Sequence, residues 1–443
     1  MASSSLTVND PATMAEAATV RGAKCGRRPL AIIALTVLLG FAQPAIGAGG
    51  EDGEKPGPPF SNFETLTDQF FPTTMVHLSD RLSFSKYVDW KRRLSSRRGI
   101  DYILLNTPIF QVGSEDGETY LDNEMDLYFH WRLIENDRTT GKIYFWGVWV
   151  QTFSDLPSIA FARSQGLVTF PNGGRTDPNK SFVAPSSLWW EQTFERIGVT
   201  YRVGQLFAPA LWGANKYLGD DRSTFMNTAF STDQGAPWSS ASRGLGAMAR
   251  VGVRSFYAAL GFQDSKADPT RIDFSSFGDA HFVYLGEVGF TSNFVGKSPG
   301  NYKLNFGYVD GQDSGSAPDQ RSGWGVIVSA TQDIKEDYGL FAIYRHSWDR
   351  YVDNIEAAAT AGFVWKKPLG WVDDRLGIGG LWAKPRNTGA EAQRNEFGIE
   401  AFWRLQLTHR LDLTPDLQLY LQPGASDRDD PVVVLGLRLR YVL

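Results

Sequence analysis

The final segment of the chain, VVVLGLRLRYVL at residues 432–443, has two faces of opposite character. Val433, Leu435, Leu437, Leu439, Tyr441 and Leu443 share one parity, and Val434, Gly436, Arg438, Arg440 and Val442 share the other. Because a strand alternates its side chains with period two, one face is wholly apolar and the other carries two arginines. In a soluble sandwich the apolar face would be the core. In a transmembrane barrel it would meet lipid, with the arginines turned into a wet lumen.

The same alternation recurs upstream. Met125, Leu127, Phe129, Trp131 and Leu133 alternate with Glu124, Asp126, Tyr128, His130 and Arg132. Apolar residues at 302–308 alternate with Lys303, Asn305 and Gly307. Phe397, Ile399, Ala401, Trp403, Leu405 and Leu407 alternate with Glu396, Gly398, Glu400, Phe402, Arg404 and Gln406, and Leu417, Leu419 and Leu421 with Gln418, Tyr420 and Gln422. No crossover helix separates these runs, so the sheet should be antiparallel. About sixteen strands are expected, an even number within the range of outer-membrane barrels. They begin near Ile100, Leu121, Lys142, Leu188, Ile197, Ala247, Phe256, His281, Asn301, Gly323, Tyr338, Ala358, Asp374, Asn395, Asp412 and Val432. Two of them lack a clean parity: 142–152 is apolar on both faces, and 338–347 is mixed. Short links such as 135–141 and 408–411 alternate with long ones at 154–187 and 209–246, the pattern of turns on one side of a membrane and loops on the other. A soluble domain rarely carries two such loops.

Composition agrees with a barrel. Only 42% of the 443 residues are hydrophobic, and no segment outside the N-terminal signal has the ~20 apolar residues a spanning helix needs. The 14 tryptophans and 29 phenylalanines suit the aromatic girdles of a barrel. Near the N-terminus, Arg21, Lys24, Arg27 and Arg28 precede an apolar run at 30–41, followed by Ala42, Ala45, Gly47 and Ala48. This is the grammar of a secretory signal over residues 1–48, with a membrane anchor as the alternative. Its removal would take away four basic and two acidic residues and move the net charge from −5 to −7, which offers nucleic acid no attraction. The single cysteine, Cys25, precedes the apolar run, so a disulfide framework is excluded. Residues 49–78 begin Gly/Pro-rich and charged and read as a flexible segment. Residues 79–99 read as a short amphipathic helix at the barrel mouth, with Tyr87, Trp90 and Leu94 at helical spacing among Lys91, Arg92, Arg93, Arg97 and Arg98, closed by Gly99. Packing at the mouth, a plug, and a basic docking site are all open to it. The barrel would occupy 100–443.

The polar parity mixes both charges with amides and aromatics, the groups that bind sugars: hydroxyls need donors and acceptors, and C–H faces pack on rings. Candidate pore-lining residues are Glu124, Asp126, His130, Arg132, Glu287, Lys303, Glu396, Glu400, Arg404, Gln406, Gln418, Arg438 and Arg440. The long link 209–246 could fold into the bore as a constriction or lie outside as a flap. Its candidates are Trp212, Tyr217, Asp220, Asp221, Arg222 and Trp238. Catalytic signals are thin: His77, His130, His281, His346 and His409 are dispersed, without a zinc or nucleophile motif. Asp427, Asp429 and Asp430 lack the spacing of a calcium loop. No cofactor, metal or catalytic residue is expected.

Residues 395–443 resemble the C-terminal part of the carbohydrate-selective porins of OprB type. The likeness rests on NEFGIEAFWRLQLTHRLDLTPDLQLYLQPG, with Thr414-Pro415-Asp416-Leu417-Gln418 at its centre and Gln422-Pro423-Gly424 after it, and on the ending Val434 to Arg440. Weaker echoes are WKRRLSSRRGIDY at 90–102 and LGEVGF at 285–290. The resemblance implies a sixteen-stranded outer-membrane barrel that passes sugars by diffusion. It implies partners as well: outer-membrane lipid, the insertion machinery and small hydrophilic solutes, in a monomer or homotrimer. Two departures stand out. The chain ends in Leu443 rather than an aromatic residue, with Tyr441 two places earlier, and the family's constriction arginines and acids do not align onto 209–246. A barrel hydrolase and a polysaccharide export channel are the alternatives.

Overall fold

A computed structural model describes residues 85–443 apart from 174–180, 220, 232–235, 237–242, 296–297, 311–321, 349–354, 371–373, 387–393, 409 and 428. The expected signal and flexible segment lie outside the described residues. A helix, α1 (Ser85–Arg98), leads into sixteen strands: β1 (Ile100–Gly113), β2 (Thr119–Asn136), β3 (Thr139–Thr152), β4 (Ser181–Phe194), β5 (Val199–Phe207), β6 (Arg243–Val253), β7 (Phe256–Asp264) and β8 (Phe282–Val295). There follow β9 (Ser298–Val309), β10 (Gly323–Ile334), β11 (Tyr338–Trp348), β12 (Ile355–Lys366), β13 (Arg375–Pro385), β14 (Glu396–Thr408), β15 (Leu411–Gln422) and β16 (Val432–Val442). Each strand pairs antiparallel with its neighbours in sequence. The sheet closes where β1 meets β16, with Leu105 opposite Val442 and Gly113 opposite Val434. Closure leaves no unpaired edge, which is what lets strands sit in hydrocarbon.

The period-two pattern sorts the faces as expected. On β16, Leu435 and Leu437 are 52% and 43% exposed, while Arg438 and Arg440 are 0% and 1% exposed. Val328, Ile378, Ile399 and Leu417 continue the outward apolar band on other strands, an area too large for a soluble monomer to leave in water. Aromatic rows bound it. At the long-loop end, Tyr284, Tyr308 and Trp324 lie side by side on β8, β9 and β10, with Trp348 opposite Trp324 on β11. At the short-turn end stand Phe256 with Phe290 and Tyr338 with Trp365. Trp324 and Ile334 are ten positions apart on β10. At about 3.3 Å per residue and a tilt of about 40°, the rows are about 25 Å apart, the height of a lipid-facing band.

β4 begins at Ser181, seven residues before the expected Leu188, because a register shift between Trp146 and Gly147 against Pro185–Ser187 breaks the alternation there. The two strands without clean parity, β3 and β11, have apolar inner faces for one reason. Tyr144, Trp146, Val148 and Val150 on β3, and Phe341 and Ile343 on β11, are buried in an interior cluster that loop residues complete.

Candidate functional site: the barrel interior

The interior is occupied by two loops. The link between β5 and β6 opens with a short helix, α3 (Ala208–Leu211), with proline in its first turn. It carries an apolar run that cannot remain in water: Trp212, Tyr217, Leu218, Phe225, Met226 and Phe230 are all buried. Phe225 stacks on Phe230 at 4.2 Å and meets Phe341 of β11 and Phe402 of β14 edge-on at 5.3 and 4.8 Å. Each such side chain contributes about 1.5–3 kcal/mol of burial. Strand glycines make the room: a Cβ on Gly339 would overlap the Tyr217 ring, and one on Gly379 the Phe230 ring.

Charged wall residues then hold the loop's backbone. Glu400 accepts the amides of Met226 and Asn227, the latter at 3.0 Å, and Glu287 accepts that of Gly213 at 2.9 Å. Arg438 donates to the carbonyls of Thr224 at 2.8 Å and Asp221 at 2.5 Å, and Arg345 to those of Ala229 and Ser231. Asp333 accepts from Tyr217 and, at 2.7 Å, from Lys216. Arg222 reaches the opposite wall, donating to Glu124 and, at 2.6 Å, to Asp126. The link between β3 and β4, which holds α2 (Ser158–Ser164), is tied in the same way. Glu396 accepts the amides of Val168 and Thr169 at 2.8 and 3.2 Å, and Pro171 O accepts from Gln111 and Gln418 at 2.7 and 2.8 Å. The two loops also bond to each other, with Thr228 N donating to Phe170 O at 2.9 Å.

All the strand candidates carry the inward parity; Glu124 and Asp126 hold Arg222, and the others fall into three settings. Glu287, Glu396, Glu400, Gln418 and Arg438 face inward but are covered by loop backbone, so they meet amides and carbonyls rather than open lumen. The spacing of residues within a strand carries no trace of a loop that arrives from elsewhere in the chain. Near the short-turn end, His130 and Arg132 surround Asp101, His130 Nε2 at 2.7 Å. There too Arg440 pairs with Asp412 at 2.6 Å, Arg404 lies beside Arg375 across β13 and β14, and Gln406 donates its backbone N–H to Asp374 and its side-chain amide to Thr408 O. Lys303, on β9, is buried close to Glu287 and Arg250. Among the loop candidates, Trp212 and Tyr217 are buried, and Asp221 and Arg222 pair at 3.1 Å. Asp220 and Trp238 lie outside the described residues.

Between the loop and the short turns, β2–β4 carry inward rings. Tyr128 stacks on Trp146 at 5.6 Å and 6°, Trp146 meets Phe207 at 4.8 Å, and Tyr144 stacks on Trp189 at 5.4 Å. Trp146 donates its indole N–H to Asp126 at 2.8 Å, and the guanidinium groups of Arg222 and Arg243 lie 5.7 and 5.8 Å from its ring. Sequence reading passed over this column, because Trp146 sits in the doubly apolar strand β3. It also passed over Arg345, in a strand without parity, and Asp333, which reads as a turn residue. In two of the interior ion pairs the cation is the more exposed partner. The Lys216 side chain is 44% exposed against 8% for Asp333, and that of Arg222 is 13% against 0% for Asp126.

A family model described as "Carbohydrate-selective porin, OprB family" matches residues 179–443. The sequence is 28% identical over 268 residues to "Porin AaxA" of Chlamydia pneumoniae, and the match spans 58% of each chain. The fold is similar to that of the high-pH structure of Pseudomonas putida OprB, with TM-score 0.67 at 15% identity over 81% of this chain and 97% of that one. The low-pH structure of that protein gives 0.51 at 12% identity over the same shares.

Proposed function

The chain belongs to the OprB family of carbohydrate-selective porins, and from that premise we propose that it is a passive diffusion pore of the Gram-negative outer membrane for small hydrophilic solutes, sugars above all. The family and the fold are those of channels rather than enzymes. The observation that carries the sugar reading is the inward column Tyr128–Trp146–Phe207 beside the Arg222–Asp126 bridge. Flat rings offer the C–H faces of a pyranose a low-entropy contact, while the adjacent guanidinium and carboxylate groups exchange hydrogen bonds with its hydroxyls. Opposed charges keep the passage wet and disfavour apolar solutes. The loop between β5 and β6 narrows the bore, and its clamps on six strands keep that narrowing fixed. Flux follows the concentration gradient, without a cofactor or energy source.

Swelling of protein-loaded liposomes tests this reading. Glucose and maltose should enter faster than an uncharged solute of equal size that lacks a ring to stack. Equal rates for the two classes would remove the sugar preference, and no swelling at all would remove the pore.

A further inference from the structure

The α1 helix does not enter the lumen. It packs at the short-turn rim of β1 and β2, where the inward-parity Arg132 donates to Ser95 O and Oγ at 3.2 and 3.1 Å, while its aromatic contacts fall on side chains of the outward, lipid-facing parity. Tyr102 donates its hydroxyl to Tyr87 at 2.9 Å, Trp90 meets the Tyr102 ring at 6.0 Å, and Lys91 Nζ lies 4.6 Å from that ring. Tyr102 alternates with the inward Ile103 and Leu105. Trp131, another outward residue, donates its indole N–H to the carbonyl of Arg98 at 3.0 Å. One glycine joins helix to barrel. Gly99, at φ +66°, returns its amide to Ser95 O at 2.9 Å, accepts Arg132 N at 2.7 Å, and has no room for a Cβ against Arg132 O. The helix is therefore fixed at the rim of the short-turn end, the periplasmic end in barrels of this kind.

Its other face is cationic. Lys86, Arg92, Arg93 and Arg97 point away from the barrel and are exposed, with Asp89 as the one acid of the helix. Trp90, 46% exposed, borders this face. The face is continuous with the apolar band through Trp131, Leu133 and Ile134, all exposed. Basic side chains and an indole at the edge of a hydrocarbon-facing surface are the composition of an interfacial anchor. We propose that the exposed arginine face of α1 binds the phosphate headgroups of anionic phospholipids in the periplasmic leaflet. Guanidinium groups suit phosphate oxygens by geometry as well as by charge. The helix would thus tie the short-turn rim to the bilayer. The inference rests on the membrane-pore reading, and the test separates the two.

Palmitoyl-oleoyl phosphatidylglycerol and phosphatidylcholine with the same chains are titrated onto the detergent-solubilised full chain, and bound lipid is read by native mass spectrometry. The natural sequence should retain phosphatidylglycerol in preference, and less so in about 0.5 M NaCl, where surface charges are screened. The variant R92Q/R93Q/R97Q should lose about tenfold of that preference, since each basic side chain near an anionic surface contributes up to a few-fold. Its channel conductance and heat-modifiable gel migration should be unchanged. Equal retention of both lipids by the natural sequence would overturn the proposal, as would an undiminished preference in a folded triple variant. So would a polyglutamate peptide that binds through the same arginines more tightly than the lipid does. If the natural sequence forms no channels yet shows the lipid preference, the pore reading falls and this one stands.

Discussion

Glu400 and Arg438 behave as clamps because each is a buried side chain that bonds backbone groups of one loop. A hydrogen bond to a charged group contributes about 1.5–3 kcal/mol, and removing one partner leaves a buried polar group less well satisfied. Arg438→Met should therefore free the carbonyls of Asp221 and Thr224 and loosen the constriction. The expected result is a lower denaturation temperature together with a higher, noisier single-channel conductance. A quieter or unchanged channel would show that Arg438 does not hold the loop. The parity of these residues was legible in the strands: both face inward, as alternation requires. Their partners were not, because residues 221–227 reach β14 and β16 from more than 170 positions away, and no local pattern encodes that meeting.

At the scale of elements, Gly339 and Gly379 are weak strand formers whose positions make sense only once Tyr217 and Phe230 are seated on them. Overpacking such a site costs about 1–3 kcal/mol. Gly339→Ala should displace Tyr217 from Asp333 and lower thermal stability by about that amount, as measured by denaturant titration of the reconstituted barrel. The docking of α1 carries a pH dependence of its own. Burial, aided by the nearby Arg410 guanidinium, brings the Lys91 ammonium down from its ordinary range to about 8. A base whose pKa falls on docking binds fewer protons when docked. Docking is therefore weakest below about pH 8 and strengthens as pH rises through the window from about 8 to 10.5. A spin label on Ser96→Cys, in a Cys25→Ser background, should become less mobile between pH 7 and pH 10, and Lys91→Met should flatten that change. The helix itself was legible from the spacing of Tyr87, Trp90 and Leu94. Its seat at the rim was not, because it depends on Tyr102 of β1 and on Trp131 and Arg132 of β2 meeting it at one place.

For the molecule as a whole, the barrel followed from the simplest rule available. A strand whose two faces suit two solvents, repeated about sixteen times without a crossover helix, has closure as its answer. The inserted loops escaped that rule, and they decide what the bore presents to a solute. They draw Glu287, Glu396 and Glu400 onto backbone amides and leave Lys216 more exposed than Asp333, and Arg222 more exposed than Glu124 and Asp126. The passage should therefore favour anions despite the acidic sequence. In a KCl gradient across a planar bilayer, the reversal potential should have the sign of chloride selectivity, and cation selectivity would contradict this distribution of charge. The arginines of the last strand are thus interior residues, one clamping a loop and one paired with Asp412, while their leucine neighbours face lipid. The central claim is that sugars pass by stacking on the inward aromatic column. Its most direct test is single-channel conductance with added maltose, for the natural sequence and for Trp146→Ala. Maltose should block the natural channel in a concentration-dependent way, and removal of the indole should leave an open channel at least as conductive but far less blocked. Equal block in both channels, or none in either, would contradict it.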